Sequence, residues 1–340
     1  MKNQLFIAIF LVVASCKQPA SFTEAKVNGN TMGTTYHITY IDSAARDFSI
    51  ALDSLLMEFN TVFSTYDTNS VISAFNRSDT GIALIGNNLE WFSRLMQYSD
   101  AVYHQTGGAF NPAIAPLVQY WGFYNKDEQP DVLVPQPVLD SLLVLSRYEN
   151  VYLDNQFLKK RIPEARLDVN AIAPGFACDL LGEFLESKGI ERYLVEIGGE
   201  VRAHGLNARG LDWSVGIMQP EEGANQMLST ISLHNQSLAT SGNYNKYVFI
   251  DGKRLGHTIN PFSGQPALNE LLSATVIAKN GMMADAYATA CMVLGFQASR
   301  KLIDDMPELE GYLIYSDQSG KLTTWYSEGL QNQIKAVSNN

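Results

Sequence analysis

Cysteine and histidine are scarce in this chain, with 3 and 5 among 340 residues. None of His37, His104, His204, His234 and His257 stands in an H-E-x-x-H pattern, and no Cys/His cluster has zinc-ligand spacing, which argues against a zinc site. There is no G-x-S-x-G elbow and no Walker A loop, so the familiar hydrolase and P-loop chemistries lack their signatures. Positive charge is also short. Lys and Arg number 24 against 35 Asp and Glu, for a formal net charge of −11, which argues against a nucleic-acid surface. That deficit leaves an anionic ligand open, because a metal or a helix N-terminus can hold phosphate locally. Heptads, tandem repeats and low-complexity stretches are absent. What remains is ordinary globular composition, 46% hydrophobic and 17% charged, long enough for one large domain or two smaller ones.

The N-terminus reads as a targeting segment. Lys2 is followed by the apolar run Leu5 to Val13, too short to span a bilayer as a stable helix. Val13-Ala14-Ser15-Cys16 then resembles the lipobox of bacterial lipoproteins. The resemblance implies a signal peptide over 1–15, cleavage before Cys16 and acylation of Cys16. Residues 16–26 would form a polar tether and 27–340 a single domain. The mature protein would be lipid-anchored to a bacterial membrane, facing the periplasm or the cell exterior. An ordinary secretory signal containing a cysteine would equally place the chain outside the cytoplasm. Cys178 and Cys291 sit among apolar residues in predicted helices and read as buried free thiols.

Strands are predicted at Thr35 to Ile41, Arg192 to Ile197, Trp213 to Ile217, around Ile231 and Leu233, and at Tyr247 to Ile250. Further strands are predicted at Ser273 to Ala278, Gly311 to Tyr315 and Leu322 to Tyr326. Helical spacing covers Ile50 to Phe59, Asn88 to Gln105 (closed by Gly107-Gly108), Ser141 to Arg147 and Pro174 to Lys188. Asp127 to Pro137 reads as a loop. Strands and helices mix without βαβ alternation, so the fold class is α+β, with mixed or antiparallel sheets packed against helices.

Several dense polar segments stand beside these elements: Asn30 to Tyr36, Phe63 to Asp67, Gly107 to Pro112, Leu167 to Gly175, Ala239 to Tyr244, and His257 to Gly264. Surface loops carry function, although glycine and polar residues also build plain turns. A further stretch reads Met283-Ala284-Asp285-Ala286-Tyr287-Ala288-Thr289. On a helix, Asp285 and Thr289 lie four apart and share a face. A carboxylate and a hydroxyl flanked by alanines suit a hard cation such as Mg²⁺. An N-terminal-turn aspartate favoured by the helix dipole fits the same residues.

Six of these features occur in order: Met32-Gly33-Thr34, Gly108-Ala109-Phe110-Asn111-Pro112, Gly198-Gly199, Thr240-Ser241-Gly242, His257 through Gly264, and Ala284-Asp285-Ala286 with Thr289. Together they resemble the ApbE family of bacterial FAD:protein FMN transferases, over nearly the whole mature chain. The resemblance implies a T-fold-like α+β domain that binds FAD and Mg²⁺. It implies transfer of FMN to a threonine or serine hydroxyl of a partner protein, with release of AMP. Asp285 and Thr289 match side-chain metal ligands, with backbone oxygens from Ala171 and Ala288. Met32, Tyr66, Ala109, Phe110, Asn111, Asp168, Pro174 and Ile259 match the FAD site, and His257 the general base. The implied acceptors are flavin-bearing subunits of Na⁺-translocating NADH:quinone reductase or Rnf-type complexes, or small FMN-binding domains. An FAD pyrophosphatase giving FMN and AMP, or a non-catalytic FAD-binding lipoprotein, would use the same residues. The chain departs from the family's common pattern at Pro174, where Lys is usual, and at Asn111 and Glu200, where Asp is usual. Asn170 replaces a small residue.

Overall fold

The computed structural model describes residues 22–123, 134–220, 226–243, 247–250 and 253–337. The chain opens with the hairpin β1 (Thr23–Thr31) and β2 (Thr34–Asp42), followed by α1 (Ser49–Phe63), α2 (Val71–Arg77), β3 (Gly81–Ala83) and α3 (Asn87–Gln105). Next come α4 (Ala115–Tyr120), α5 (Gln136–Leu145), β4 (Val151–Asp154), β5 (Phe157–Lys160) and α6 (Ala173–Ser187). A run of strands follows: β6 (Tyr193–Ile197), β7 (Glu200–His204), β8 (Trp213–Met218), β9 (Met227–Leu233), β10 (Gln236–Gly242), β11 (Tyr247–Ile250), β12 (Lys253–Gly256) and β13 (Leu271–Ala278). The chain ends with α7 (Gly281–Leu294), α8 (Phe296–Asp305), β14 (Glu310–Ser316), β15 (Leu322–Tyr326) and β16 (Ile334–Ala336).

The central sheet has eight strands in the order β1-β2-β6-β7-β10-β13-β14-β15, and every neighbouring pair runs antiparallel. Both its faces are covered. On one side, α1, α3, α6 and α7 share a core with Ala239, Ala274 and Val276 of the sheet. On the other, Leu238, Ile277, Tyr312 and Ile314 pack against Trp213, Ile217, Ile231 and Leu233 of the smaller sheet β16-β9-β8. Alternation explains this partition, since Leu238 and Ala239, or Val276 and Ile277, must point to opposite faces. Helix α7 lies at the centre and is buried almost all round, which is why its sequence is apolar on every face rather than striped.

The α+β expectation holds, and Cys178 and Cys291 are buried free thiols. Three local readings change. Thr23 to Lys26, read as tether, is the first half of β1 and pairs with Thr39 to Asp42; its polar composition is that of a sheet edge with Val27 as its buried anchor. Ala239 to Gly242, read as a loop, is the end of β10; serine and threonine there face a helix and a cross-strand threonine. Gln136 and Pro137, read as loop, form the first turn of α5, where proline costs nothing because those N–H groups have no intrahelical partner. The rest of that loop up to residue 133, Tyr244, and the signal peptide with Cys16 lie outside the described residues.

Helices α6 and α7 meet backbone to backbone. A Cβ added at Gly175 would stand 2.2 Å from the Gly281 carbonyl oxygen, and one at Gly281 would stand 2.2 Å from that of Gly175. Each helix also supplies a carboxylate to the first turn of the other. Asp179 of α6 accepts from Gly281 N at 2.8 Å and Met282 N at 3.0 Å, and Asp285 of α7 accepts from Gly175 N at 3.1 Å. Orphan N–H groups at both helix starts are thereby satisfied in the interior. Asp179 is neutralised from β7 by Arg202, whose Nη1 lies 3.0 Å from it and whose Nη2 reaches Glu186 at 3.0 Å. Gly281→Ala is therefore expected to destabilise the fold by about 3 kcal/mol, the upper end of the overpacking range. Urea unfolding measures this, and an unchanged midpoint would contradict the close crossing.

Candidate functional site

The polar segments converge on one cleft of about 1120 Å³ between the helical layer and the edge of the smaller sheet. That volume exceeds the usual small-ligand range of roughly 300–1,000 Å³ and suits a dinucleotide-sized molecule. Met32, Tyr66, Ala109, Phe110, Asn111, Asp168, Ala171, Pro174, His257, Ile259, Asp285 and Thr289 all line it. Ala288 does not; it is fully buried within α7.

The rim is built by two tight hairpins. Met32 and Gly33 turn β1 into β2 with φ of 50° and 74°, the left-handed pair that two-residue hairpins require. Gly198 and Gly199 turn β6 into β7 in the same way, with φ of 64° and 114°. Gly198 N donates to Thr35 O at 3.1 Å, which locks the two turns together. Glu196 braces this corner, accepting from Gly199 N at 2.8 Å and pairing with His37 Nδ1 at 2.7 Å.

A second wall follows α3. Thr106 Oγ1 accepts from Phe110 N at 3.2 Å and holds the turn that buries Ala109 and Phe110. Asn111 is held on both ends of its amide: Oδ1 accepts from Ala113 N at 2.9 Å and Nδ2 donates to Ser146 O at 2.8 Å. An aspartate could make only the first of these bonds, so the departure at 111 has a local structural use. Asp168 is fixed by its neighbours, with its backbone N donating to Pro112 O at 2.8 Å and its Oδ1 accepting from Asn170 N at 2.8 Å. Tyr66 stands exposed at the edge.

His257 follows β12 and opens a rigid loop. Asn260 Oδ1 accepts from Phe262 N and Ser263 N at 2.8 and 3.2 Å, and Trp121 Nε1 donates to Gly264 O at 2.8 Å. Thr258 Oγ1 donates to Asn243 Oδ1 at 2.9 Å. The His257 ring lies edge-on to Phe123, with centroids 6.5 Å apart.

On the floor, Asp285 is one turn inside α7, so it is not a first-turn dipole aspartate; Asn280 caps that end, accepting from Met283 N at 2.9 Å. Burial raises the Asp285 carboxyl above the usual range, the Gly175 N–H partly offsets this, and the Asp179 charge adds to it. Thr289 Oγ1 meets Ser241 Oγ at 3.3 Å. The lining is acidic. It carries Asp168, Glu196, Glu200 and Asp285, and no Lys or Arg among the described residues. Among the described residues there is also no group of three or more His, Cys, Asp or Glu placed to hold a metal. A cation here would rest on one carboxylate with hydroxyl and carbonyl oxygens, an all-oxygen donor set that suits a hard ion such as Mg²⁺ or Mn²⁺ rather than Zn²⁺ or Cu²⁺.

Sequence reasoning missed Glu196, Thr258, Ser241 and the β8 segment Val215 to Met218 as lining residues. Ser241 stood inside a quoted motif and could have been found there. Glu196 and β8 carry no signal beyond strand alternation.

A sequence model of the ApbE family matches residues 32–313. The FAD:protein FMN transferase of Vibrio cholerae is 35% identical over 302 residues, covering 87% of this chain and 88% of that protein. That of Escherichia coli is 30% identical over 348 residues, covering 98% and 97%. The solved flavin transferase ApbE of Vibrio cholerae superposes with a TM-score of 0.80 at 31% identity, covering 92% of this chain and all of that one. A match over most of the length, together with the cleft that the shared motifs build, establishes that the chain belongs to the ApbE family.

Proposed function

We propose that this flavin transferase moves FMN from FAD to a threonine or serine hydroxyl of an acceptor protein, in a Mg²⁺-dependent reaction that releases AMP. The observation that carries the reading is the convergence on one cleft of His257, Asp285, Thr289 and the eight positions expected to hold FAD. The activity itself is that of the named relatives. Dependence on a cation is supported by charge. FAD carries a pyrophosphate, and the described lining offers it four carboxylates and no Lys or Arg. Like charges in a partly buried site repel, which favours a neutralising cation between them.

Asp285, Thr289 and the backbone oxygen of Ala171 would hold Mg²⁺, which when bound supplies charge neutralisation at the pyrophosphate. His257 takes the proton of the acceptor hydroxyl, the general-base role an imidazole can fill. The acceptor oxygen then bonds to the FMN phosphorus, the bond from that phosphorus to the bridging oxygen breaks, and AMP leaves with that oxygen. Positioning and charge carry most of such a transfer. The acceptor is a flavoprotein subunit of a Na⁺-translocating NADH:quinone reductase or Rnf-type complex, or an FMN-binding domain. Acylation of Cys16 would anchor the enzyme to the membrane, facing the periplasm or the cell exterior. No helix among the described residues is long and apolar enough to cross a membrane.

Incubation with FAD, Mg²⁺ and an acceptor domain should raise the acceptor's mass by one FMN in mass spectrometry. Free FMN and AMP beside an unmodified acceptor would instead identify a pyrophosphatase, and intact bound FAD a carrier. Asp285→Asn, which keeps an oxygen for Gly175 N–H, should lower Mg²⁺-dependent turnover by roughly 100-fold or more, as loss of several kcal/mol of charge stabilisation implies. Wild-type turnover in that variant would refute the cation assignment.

Pro174 lines the cleft at the start of α6. A cation about 4 Å from a phosphate is worth on the order of 1–4 kcal/mol. Pro174→Lys should therefore tighten FAD binding by about fivefold or more without added Mg²⁺. Flavin fluorescence titration reads this, and unchanged affinity would remove position 174 from the phosphate's surroundings.

A further inference from the structure

Side chains alternate along β10, so Ser237, Ala239 and Ser241 face α7 while Leu238 and Thr240 face the smaller sheet. The core assignments agree, since Ala239 packs with the helices and Leu238 with β8 and β9. Small residues also surround Thr289 along α7, where Ala286, Ala288 and Ala290 are all buried. Within this alanine-rich contact two hydroxyls meet at the cleft, Ser241 Oγ and Thr289 Oγ1, 3.3 Å apart.

A hydroxyl owns one proton and two lone pairs. If Thr289 is to offer oxygen lone pairs to a cation, its proton must be taken by a neighbour. In a helix the ordinary acceptor is the carbonyl one turn back. Ser241 Oγ is a second acceptor, placed off the helix on a strand whose register is fixed. Thr240 Oγ1 lies 2.9 Å from Thr275 Oγ1 on the opposite face, and Ser241 pairs with Ala274 of β13. Such outer partners orient the groups that touch a metal and set its affinity.

We propose that Ser241 is a positioning residue for the cation site: its hydroxyl oxygen accepts the Thr289 proton and thereby turns the Thr289 lone pairs into the cleft. This rests on the reading that Asp285 and Thr289 hold a divalent cation. Ser241 acts through Thr289 and has no contact of its own with the cation. A bond made only for packing would be indifferent to the metal, and alanine at 241 would then be harmless to metal binding.

The test is titration of Mn²⁺ into the full chain, with and without FAD, followed by electron paramagnetic resonance. Ser241→Ala should weaken Mn²⁺ binding by about tenfold, the lower end of the range for such partners. Ser241→Thr, which keeps the oxygen, should bind as wild type. In a Thr289→Ala background, Ser241→Ala should add no further loss. Undiminished binding by Ser241→Ala, equal loss in Ser241→Thr, or an added loss without Thr289 would each overturn the inference. Asp285→Asn separates the two levels. If it abolishes Mn²⁺ binding while Ser241→Ala retains it, the Ser241 inference alone falls. If wild type binds no Mn²⁺, or Asp285→Asn binds it unchanged, the cation reading fails and Ser241 with it.

Discussion

The crossing of α6 and α7 is the constraint on which the rest of the structure depends. Gly175 and Gly281 let the two backbones touch, and that contact brings each helix start within reach of a carboxylate one turn along the other. The arrangement is reciprocal: Gly175 and Asp179 are four apart on α6, Gly281 and Asp285 four apart on α7. A side chain at either glycine would separate the helices and uncap both. Because α7 also packs on β10 and β13 of the central sheet, the position of Asp285 is set by the whole helical layer rather than by a loop.

The two carboxylates have the same geometry and different surroundings, and the difference divides their work. Asp179 is paired with Arg202, itself tied to Glu186 and Tyr193. Its charge is spent inside the fold, where removing one partner would leave an uncompensated buried ion. Among the described residues no such cation stands beside Asp285. One oxygen takes the Gly175 N–H, and the residue opens on the cleft. Burial and the neighbouring Asp179 charge both disfavour its ionised form. A divalent ion, if bound there as proposed, would relieve that penalty by supplying the missing countercharge.

Much of this was legible in the sequence, for identifiable reasons. Long amphipathic helices such as α3 and alternating strands such as β6 declare themselves through period, and β13 as a short run buried on both faces. Twelve of the thirteen residues expected at the cofactor and metal site line one cleft; Ala288 does not, because a residue flanked by Ala286, Ala290 and Tyr287 in a buried helix has no open side. β1 escaped notice because an edge strand needs only sparse apolar anchoring, and Val27 alone is a weak signal. The end of β10 escaped because Thr240, Ser241 and Gly242 are turn-forming residue types, and only tertiary packing makes them strand. The G-x-x-x-D spacing that repeats at Gly175 and Gly281 was visible in the sequence, but its meaning is a contact between distant segments that no local pattern encodes.

Reading the end of β10 as strand rather than loop alters how the site works. Asp285, Thr289 and Ser241 all stand on regular elements in the core, where positions are held by packing. His257 stands at the start of a loop that is rigid for a different reason: Asn260 ties its turn and Trp121 holds its far end. The floor formed by Asp285 and Thr289 and the wall that carries His257 are thus anchored independently, one by helix packing and one by a hydrogen-bonded loop.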